Sequence, residues 1–164
     1  MITRRNLLAR LGAATFTTAV LPIAGTAAPT DTARPPLHIL TAPGCSCCHA
    51  WADLARARGH VVTVEEMTDT AAQKNALGVP EQLVSCHTIR AEGYVFEGHV
   101  PFDALDAVLR DRPAIAGLAV PGMPMGSPGM GDDPAARFDV IAFGGAAGDG
   151  RVFYRAGTNQ PFAG

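Results

Sequence analysis

The chain has 164 residues, 48% of them hydrophobic and 17% charged, with a formal charge of −2, enough for one domain with a core of its own and short of two. Its basic residues do not cluster, which argues against a nucleic-acid ligand, since phosphate binding needs a surplus of lysine and arginine. The 18 glycines and 13 prolines gather near the amino terminus and beyond Pro113, so the regular core is expected between Leu37 and Arg112.

The chain opens on Thr3-Arg4-Arg5-Asn6-Leu7-Leu8, followed by a mildly apolar stretch from Leu11 to Ala24 that Pro22 interrupts. Paired arginines ahead of such a stretch resemble a twin-arginine signal peptide, with small residues at Gly25-Thr26-Ala27 for cleavage and a Sec signal as the alternative. The stretch is too polar for a permanent anchor, because a membrane span needs roughly 20 predominantly apolar residues. The expected organisation is a signal peptide over 1–28, a linker over 29–36, a metal-binding domain over 37–155 and a tail over 156–164. Cleavage removes Arg4, Arg5 and Arg10 and no acid, which moves the formal charge from −2 to −5.

Leu37-His38-Ile39-Leu40 reads as a buried strand that ends at the turn Thr41-Ala42-Pro43-Gly44. A helix follows on the spacing of Cys48, Trp51, Leu54 and Arg58, with Gly59 as its stop. Val61 to Val64 makes a second strand, and Asp69 caps a short helix that runs through Leu77. Thr88-Ile89-Arg90 and Tyr94-Val95-Phe96 flank a turn at Ala91-Glu92-Gly93, a hairpin pattern. Pro101-Phe102-Asp103 opens a helix whose apolar face is Leu105, Val108 and Leu109. This order of elements predicts an α/β (α+β) fold with a thioredoxin-like core.

From Gly117 to Gly131 the chain reads as a Met, Gly and Pro-rich loop. Phe138 to Phe143 and Arg151 to Tyr154 then predict a C-terminal β-hairpin that packs beside the core or extends its sheet. The glycines between Gly144 and Gly150 make a turn rather than a phosphate loop, since no Gly-Lys-Ser/Thr accompanies them.

The chemistry lies in Cys45-Ser46-Cys47-Cys48-His49, directly after a strand and at a helix start. Three cysteines within four residues close almost no chain, so as disulfides they would remove little entropy from the unfolded state. The free N–H groups and positive dipole end of a helix start favour thiolate, which is both a nucleophile and a soft-metal ligand. The segment that enters the hairpin strand of a thioredoxin-like fold passes the start of the first helix, and by that fold analogy Cys86 joins the group. Four sulfurs select copper(I) or zinc. Met123, Met125 and Met130 offer neutral thioethers that tip the choice toward copper(I), although packing of the loop explains them equally well.

His49 and His87 are candidates for additional ligands or for groups that orient them. His87, in an extended segment, is expected to point away from Cys86. His99 is expected to orient a turn, and His38 and His60 to be surface or edge residues.

Cys45 to Trp51, Gly78-Val79-Pro80-Glu81, Ser85-Cys86-His87-Thr88, Gly93 to Pro101 and Gly117 to Met130 together resemble a family of periplasmic metal-binding proteins. That family was long catalogued as a domain of unknown function and includes the copper-resistance protein CopG. The resemblance spans Leu37 to Tyr154 and implies a thioredoxin-like fold, copper handling, and metal-site roles for Cys45, Cys47, Cys48 and Cys86. Ser46 and Met125 depart from the usual glycine and aliphatic residue.

The leading expectation is therefore a periplasmic protein that sequesters or transfers copper(I), more than one ion included, in tolerance or homeostasis. Its partners would be copper ions and other envelope copper-handling proteins. An enzyme is the second reading: a thiol-disulfide oxidoreductase with Cys45 as nucleophile and Cys48 as resolving thiol, or a copper-dependent redox protein. Against the former, Ser85-Cys86-His87 stands where such enzymes place a proline. A disulfide between Cys45 and Cys48, or between Cys47 and Cys86, is expected to abolish copper(I) binding.

Overall fold

A computed structural model describes residues 34–157; the expected signal peptide, most of the linker and most of the tail lie outside them. The described chain forms a seven-stranded mixed sheet with three α-helices. In chain order these are β1 (Leu37–Thr41), α1 (Ser46–Ala57), β2 (Val62–Glu66), α2 (Thr70–Ala76), β3 (His87–Ala91), β4 (Tyr94–Gly98), α3 (Phe102–Asp111), β5 (Gly117–Val120), β6 (Phe138–Phe143) and β7 (Arg151–Ala156). The strands lie in the order β2-β1-β3-β4-β5-β6-β7.

Local chemistry accounts for the boundaries. The Asp69 carboxylate accepts a hydrogen bond from the Ala72 amide at 2.9 Å and caps α2. Glu92 and Gly93 both take positive φ, 49° and 85°, the turn whose twist matches an antiparallel hairpin, and β3 and β4 pair across it. β1 runs parallel to β2 and antiparallel to β3.

The span from Gly117 to Gly131 is not wholly a loop. Its first four residues are β5, which runs parallel to β4 and antiparallel to β6. Gly117 permits this approach, because a Cβ there would run into the Val95 carbonyl. β6 and β7 pair antiparallel with an irregularity at Val140/Ile141, and through β5 they join the same sheet.

Alternating strand residues divide the interior into two clusters. On one face α1 and α3 pack Trp51, Ala55, Phe102 and Leu105 against Ile39, Ile89, Phe96 and Leu118. Trp51 stacks on Phe102 with ring centroids 4.7 Å apart, and its indole N–H donates to the Val100 carbonyl at 3.1 Å. The other face holds Val79, Leu83, Val95, Ala119 and Phe143. Between strand and helix on that side lies a buried polar group: Lys74 Nζ donates to Glu97 at 2.6 Å and to Thr88 Oγ1 at 2.9 Å, while the Thr88 hydroxyl donates to Glu97 at 2.6 Å. A buried ion pair of this kind is tolerated because every charge on it is matched by a hydrogen bond. Glu97 also accepts from the Ser85 amide at 2.7 Å, and so holds the segment that enters β3.

Candidate metal centre

The sulfur group follows from strand pairing. β1 ends at Thr41, whose register partner in β3 is His87. The turn after Thr41 therefore lies beside the residue before His87, which is Cys86. Cys45 is the N-cap of α1, and Cys47 and Cys48 lie in its first turn. Cys45 and Cys48 form a disulfide, while Cys47 and Cys86 are free. Cys47 Sγ lies 3.6 Å from Cys45 Sγ and 4.0 Å from Cys86 Sγ. The ligand atoms of all four cysteines lie within 4.8 Å of one another.

Cys86 has a second set of neighbours. His87 Nδ1 is 3.2 Å and His99 Nε2 3.0 Å from its sulfur, and Cys86, His87 and His99 form another group of ligand atoms within 4.8 Å. Both rings are fully buried and meet edge to face with centroids 5.0 Å apart. His99 Nδ1 lies 2.7 Å from the Pro128 carbonyl; that oxygen only accepts, so Nδ1 carries the proton and Nε2 presents its lone pair to Cys86. His87 Nε2 has no hydrogen-bond partner among the described residues.

Burial sets the protonation of this interior set. It pushes the Cys86 thiol up to about 12, with the neighbouring Cys47 as the next cause. Burial likewise lowers His87 to about 3, assisted by His99 and Lys74. His99 is lowered by burial against the opposing pull of the Pro128 carbonyl. Metal-free Cys86 is therefore a thiol beside two neutral imidazoles, and a cation that binds it displaces a proton.

Three histidine expectations change. His87 does reach Cys86, because Cys86 precedes the strand and the alternation of side chains does not extend to it. His99 does more than orient a turn: it joins the end of β4 to the loop at Pro128 and faces the sulfur. Nothing in its spacing marks this role, since 13 residues separate it from Cys86. His49 turns away from the sulfurs to Glu66, 3.2 Å distant, and is exposed. His38 pairs with Glu65 at the sheet edge. His60 is buried, 3.4 Å from the Pro35 carbonyl, not a surface residue.

The methionine-bearing loop comes down on α1 at Gly129. A Cβ there would lie 2.9 Å from both the Cys47 carbonyl oxygen and the Trp51 nitrogen, and its φ is +86°. Both features require glycine. Met130, next in the chain, is half-buried, whereas Met123 and Met125 are exposed. The loop thus reaches the sulfur-bearing helix mainly through backbone.

Residues 83–130 match the family described as "Protein of unknown function, DUF411", a span that contains Cys86, His87, His99 and the loop. The chain is similar to two solved structures of copper resistance protein CopG, forms 1 and 2. Each is 36% identical to it, with 74% of this chain and 97% of the other covered and TM-scores of 0.67 and 0.68. No curated protein sequence matches the chain.

Proposed function

The chain belongs to the DUF411 family of copper-resistance proteins, and from that premise we propose that it binds copper(I) through Cys45, Cys47, Cys48 and Cys86 and sequesters or transfers it. The observation that carries this reading is the convergence of four sulfurs within 4.8 Å from two segments far apart in sequence. Thiolates in that number are a soft donor set suited to copper(I), and shared sulfurs allow more than one ion. Cys47 stands between Cys45 and Cys86, 3.6 and 4.0 Å from their sulfurs, a place suited to a bridging ligand once the Cys45–Cys48 link is reduced.

Competition of the reduced protein against a colorimetric copper(I) chelator tests the reading. Cys86→Ser should weaken binding by about tenfold or more, about 1.4 kcal/mol, and unchanged affinity would remove Cys86 from the site.

The strand order, with β1 parallel to β2 and a β3–β4 hairpin, supports a thioredoxin-like core extended by the β6–β7 hairpin. The paired arginines support export to the periplasm with residues 1–28 as signal peptide. No helix among the described residues is long and apolar enough to cross a membrane. Replacing Arg4 and Arg5 with lysine should leave precursor in the cytoplasm, and normal processing would point to Sec export.

One observation favours a redox reading beside the first: Cys45 and Cys48 are joined, as the dithiol of an oxidoreductase would be in its oxidised state. Turnover of disulfide substrates by metal-free protein, retained in Cys86→Ala, would put that reading first.

A further inference from the structure

Strand pairing stops one residue short of the cysteine that completes the sulfur group. The register of β3 with β1 begins at His87, opposite Thr41, and its register with β4 begins at Thr88, opposite Glu97. Ser85 and Cys86 precede both, and the 3-10 turn before them ends at Leu83. What sets the Cys86 sulfur 4.0 Å from that of Cys47 therefore acts from outside the ladder.

Glu97 acts there from β4. Its Oε1 accepts from the Ser85 amide at 2.7 Å, and its Oε2 accepts from the Thr88 hydroxyl at 2.6 Å. The two arms close on either side of the Cys86-His87 dipeptide. We infer that Glu97 is a positioning residue of the copper site, whose carboxylate brackets Cys86-His87 and holds the Cys86 sulfur within bridging reach of Cys47. This inference rests on the copper reading of the four sulfurs and adds to it a group that touches no ion.

Three observations support the bracket. It is itself fixed: Lys74 Nζ donates to Oε1 at 2.6 Å and to Thr88 Oγ1 at 2.9 Å, so ammonium, hydroxyl and carboxylate form a closed set with one orientation, held by charge-assisted bonds. The backbone is also cut to fit. Gly98 follows Glu97 with φ +73°, and a Cβ there would fall 2.4 Å from Ser85 Oγ and 2.7 Å from the Val120 carbonyl oxygen, so any other residue would push Ser85 away from the carboxylate. The third observation is burial, since Glu97 is 0% and Lys74 4% exposed. Apolar side chains often replace a buried ion pair without loss of stability, so stability alone does not account for these charges. Fixing one conformation of a segment that the sheet leaves unpaired does account for them.

The test is a double-mutant cycle on the purified, fully reduced chain, read by competition for copper(I) against a colorimetric chelator. Lys74→Met together with Glu97→Leu severs both arms and removes both charges at once, so that no ion is left buried alone. Thr88→Val severs one arm and keeps the ion pair. The first change should weaken copper(I) binding about tenfold and the second about threefold, the scale on which groups that hold a ligand in place affect metal affinity. In a Cys86→Ser background the positioned sulfur is gone, and each change should then alter affinity by less than about twofold. Equal losses in both backgrounds, or no loss in the native one, overturn the inference.

A metal-free measurement separates this inference from the reading beneath it. In Cys45→Ala/Cys48→Ala protein only Cys47 and Cys86 remain, and equilibration with glutathione gives the effective concentration of one thiol at the other. Lys74→Met with Glu97→Leu should lower that value by a factor similar to its effect on copper(I) binding. Val140→Ala, a truncation in the core at β6, should lower the unfolding midpoint and leave the effective concentration as it was. If the native chain binds no copper(I) and the effective concentration still falls as expected, the copper reading fails while the placement of Cys86 by Glu97 stands. If the effective concentration holds, or if Val140→Ala lowers it as much, the bracket is overturned whatever the metal does. Where the charge-free variant does not fold, Thr88→Val decides in the same two assays.

Discussion

The two sides of Cys86 differ in nearly every physical respect. Toward α1 lie Cys45 and Cys47, partly exposed and close to one another in sequence, at a helix start where water and thiol reagents can reach. Toward the interior lie His87 and His99, fully buried, on segments held by β-pairing and by the Lys74–Glu97–Thr88 hydrogen bonds. The outer side is set by local sequence and is chemically changeable, as its disulfide shows. The inner side is set by tertiary packing. The copper site proposed on the four sulfurs would thus set reactive donors against a rigid seat.

The largest effect should come from breaking the seat. Lys74→Ala leaves the Glu97 carboxylate buried without its cation, a change that costs about 3–5 kcal/mol when a buried pair loses one partner. Denaturant unfolding of the metal-free protein measures it. A loss below about 1 kcal/mol would mean that water reaches Glu97 and that the contrast drawn above is weaker than the packing implies.

A smaller effect is expected from acid. His87, lowered to about 3 from an ordinary 6.5, takes up a proton more readily in the unfolded chain. The stability gained by keeping the ring neutral is therefore whole above pH 6.5 and is lost as the pH falls toward 3. Glu97, raised by burial, works in the opposite sense, because the folded state then binds its proton first. Comparing unfolding midpoints at neutral and acid pH for the native protein and His87→Gln isolates the ring: the variant should lose less stability on acidification.

The smallest effect should follow His49→Ala. That side chain faces Glu66 on the outside of the site, so copper(I) affinity should change by less than about twofold in chelator competition, and stability by no more than the 0–1 kcal/mol usual for an exposed pair. A larger drop in affinity would return His49 to the ligand set and extend the outer side of the site.

The outer side was legible in the sequence because its determinants are contiguous. A strand, a turn with Gly44 and a helix starting at the cysteines can be read from residues 37 to 59 alone. Cys86 could be placed by analogy, since its hairpin is marked by Glu92-Gly93. His99 could not be placed, because its role depends on Pro128 arriving from the far side of β5. β5 itself was hidden for the same reason: Gly117-Leu118-Ala119-Val120 is a strand by virtue of its pairing with β4 and β6, and four residues are too short a run to show a period of their own ahead of the Gly, Pro and Met loop. Lys74 also escaped notice, as its partner Glu97 lies 23 residues away and a solitary lysine ordinarily belongs at the surface.

The antiparallel register of β1 with β3 has a consequence for how the protein folds. Cys45, Cys47 and Cys48 are neighbours in any state of the chain, whereas Cys86 is 39 residues from Cys47 and meets it only when β1 and β3 dock. Closing a segment of that length carries an entropic cost before its contacts compensate it, so such pairings form late relative to local ones. Until they form, thiol exchange is confined largely to the three clustered cysteines, and the link between Cys45 and Cys48 is a native one. The nascent chain thus has few wrong bridges open to it, and the complete donor set appears only in molecules whose central strands have already found their partners.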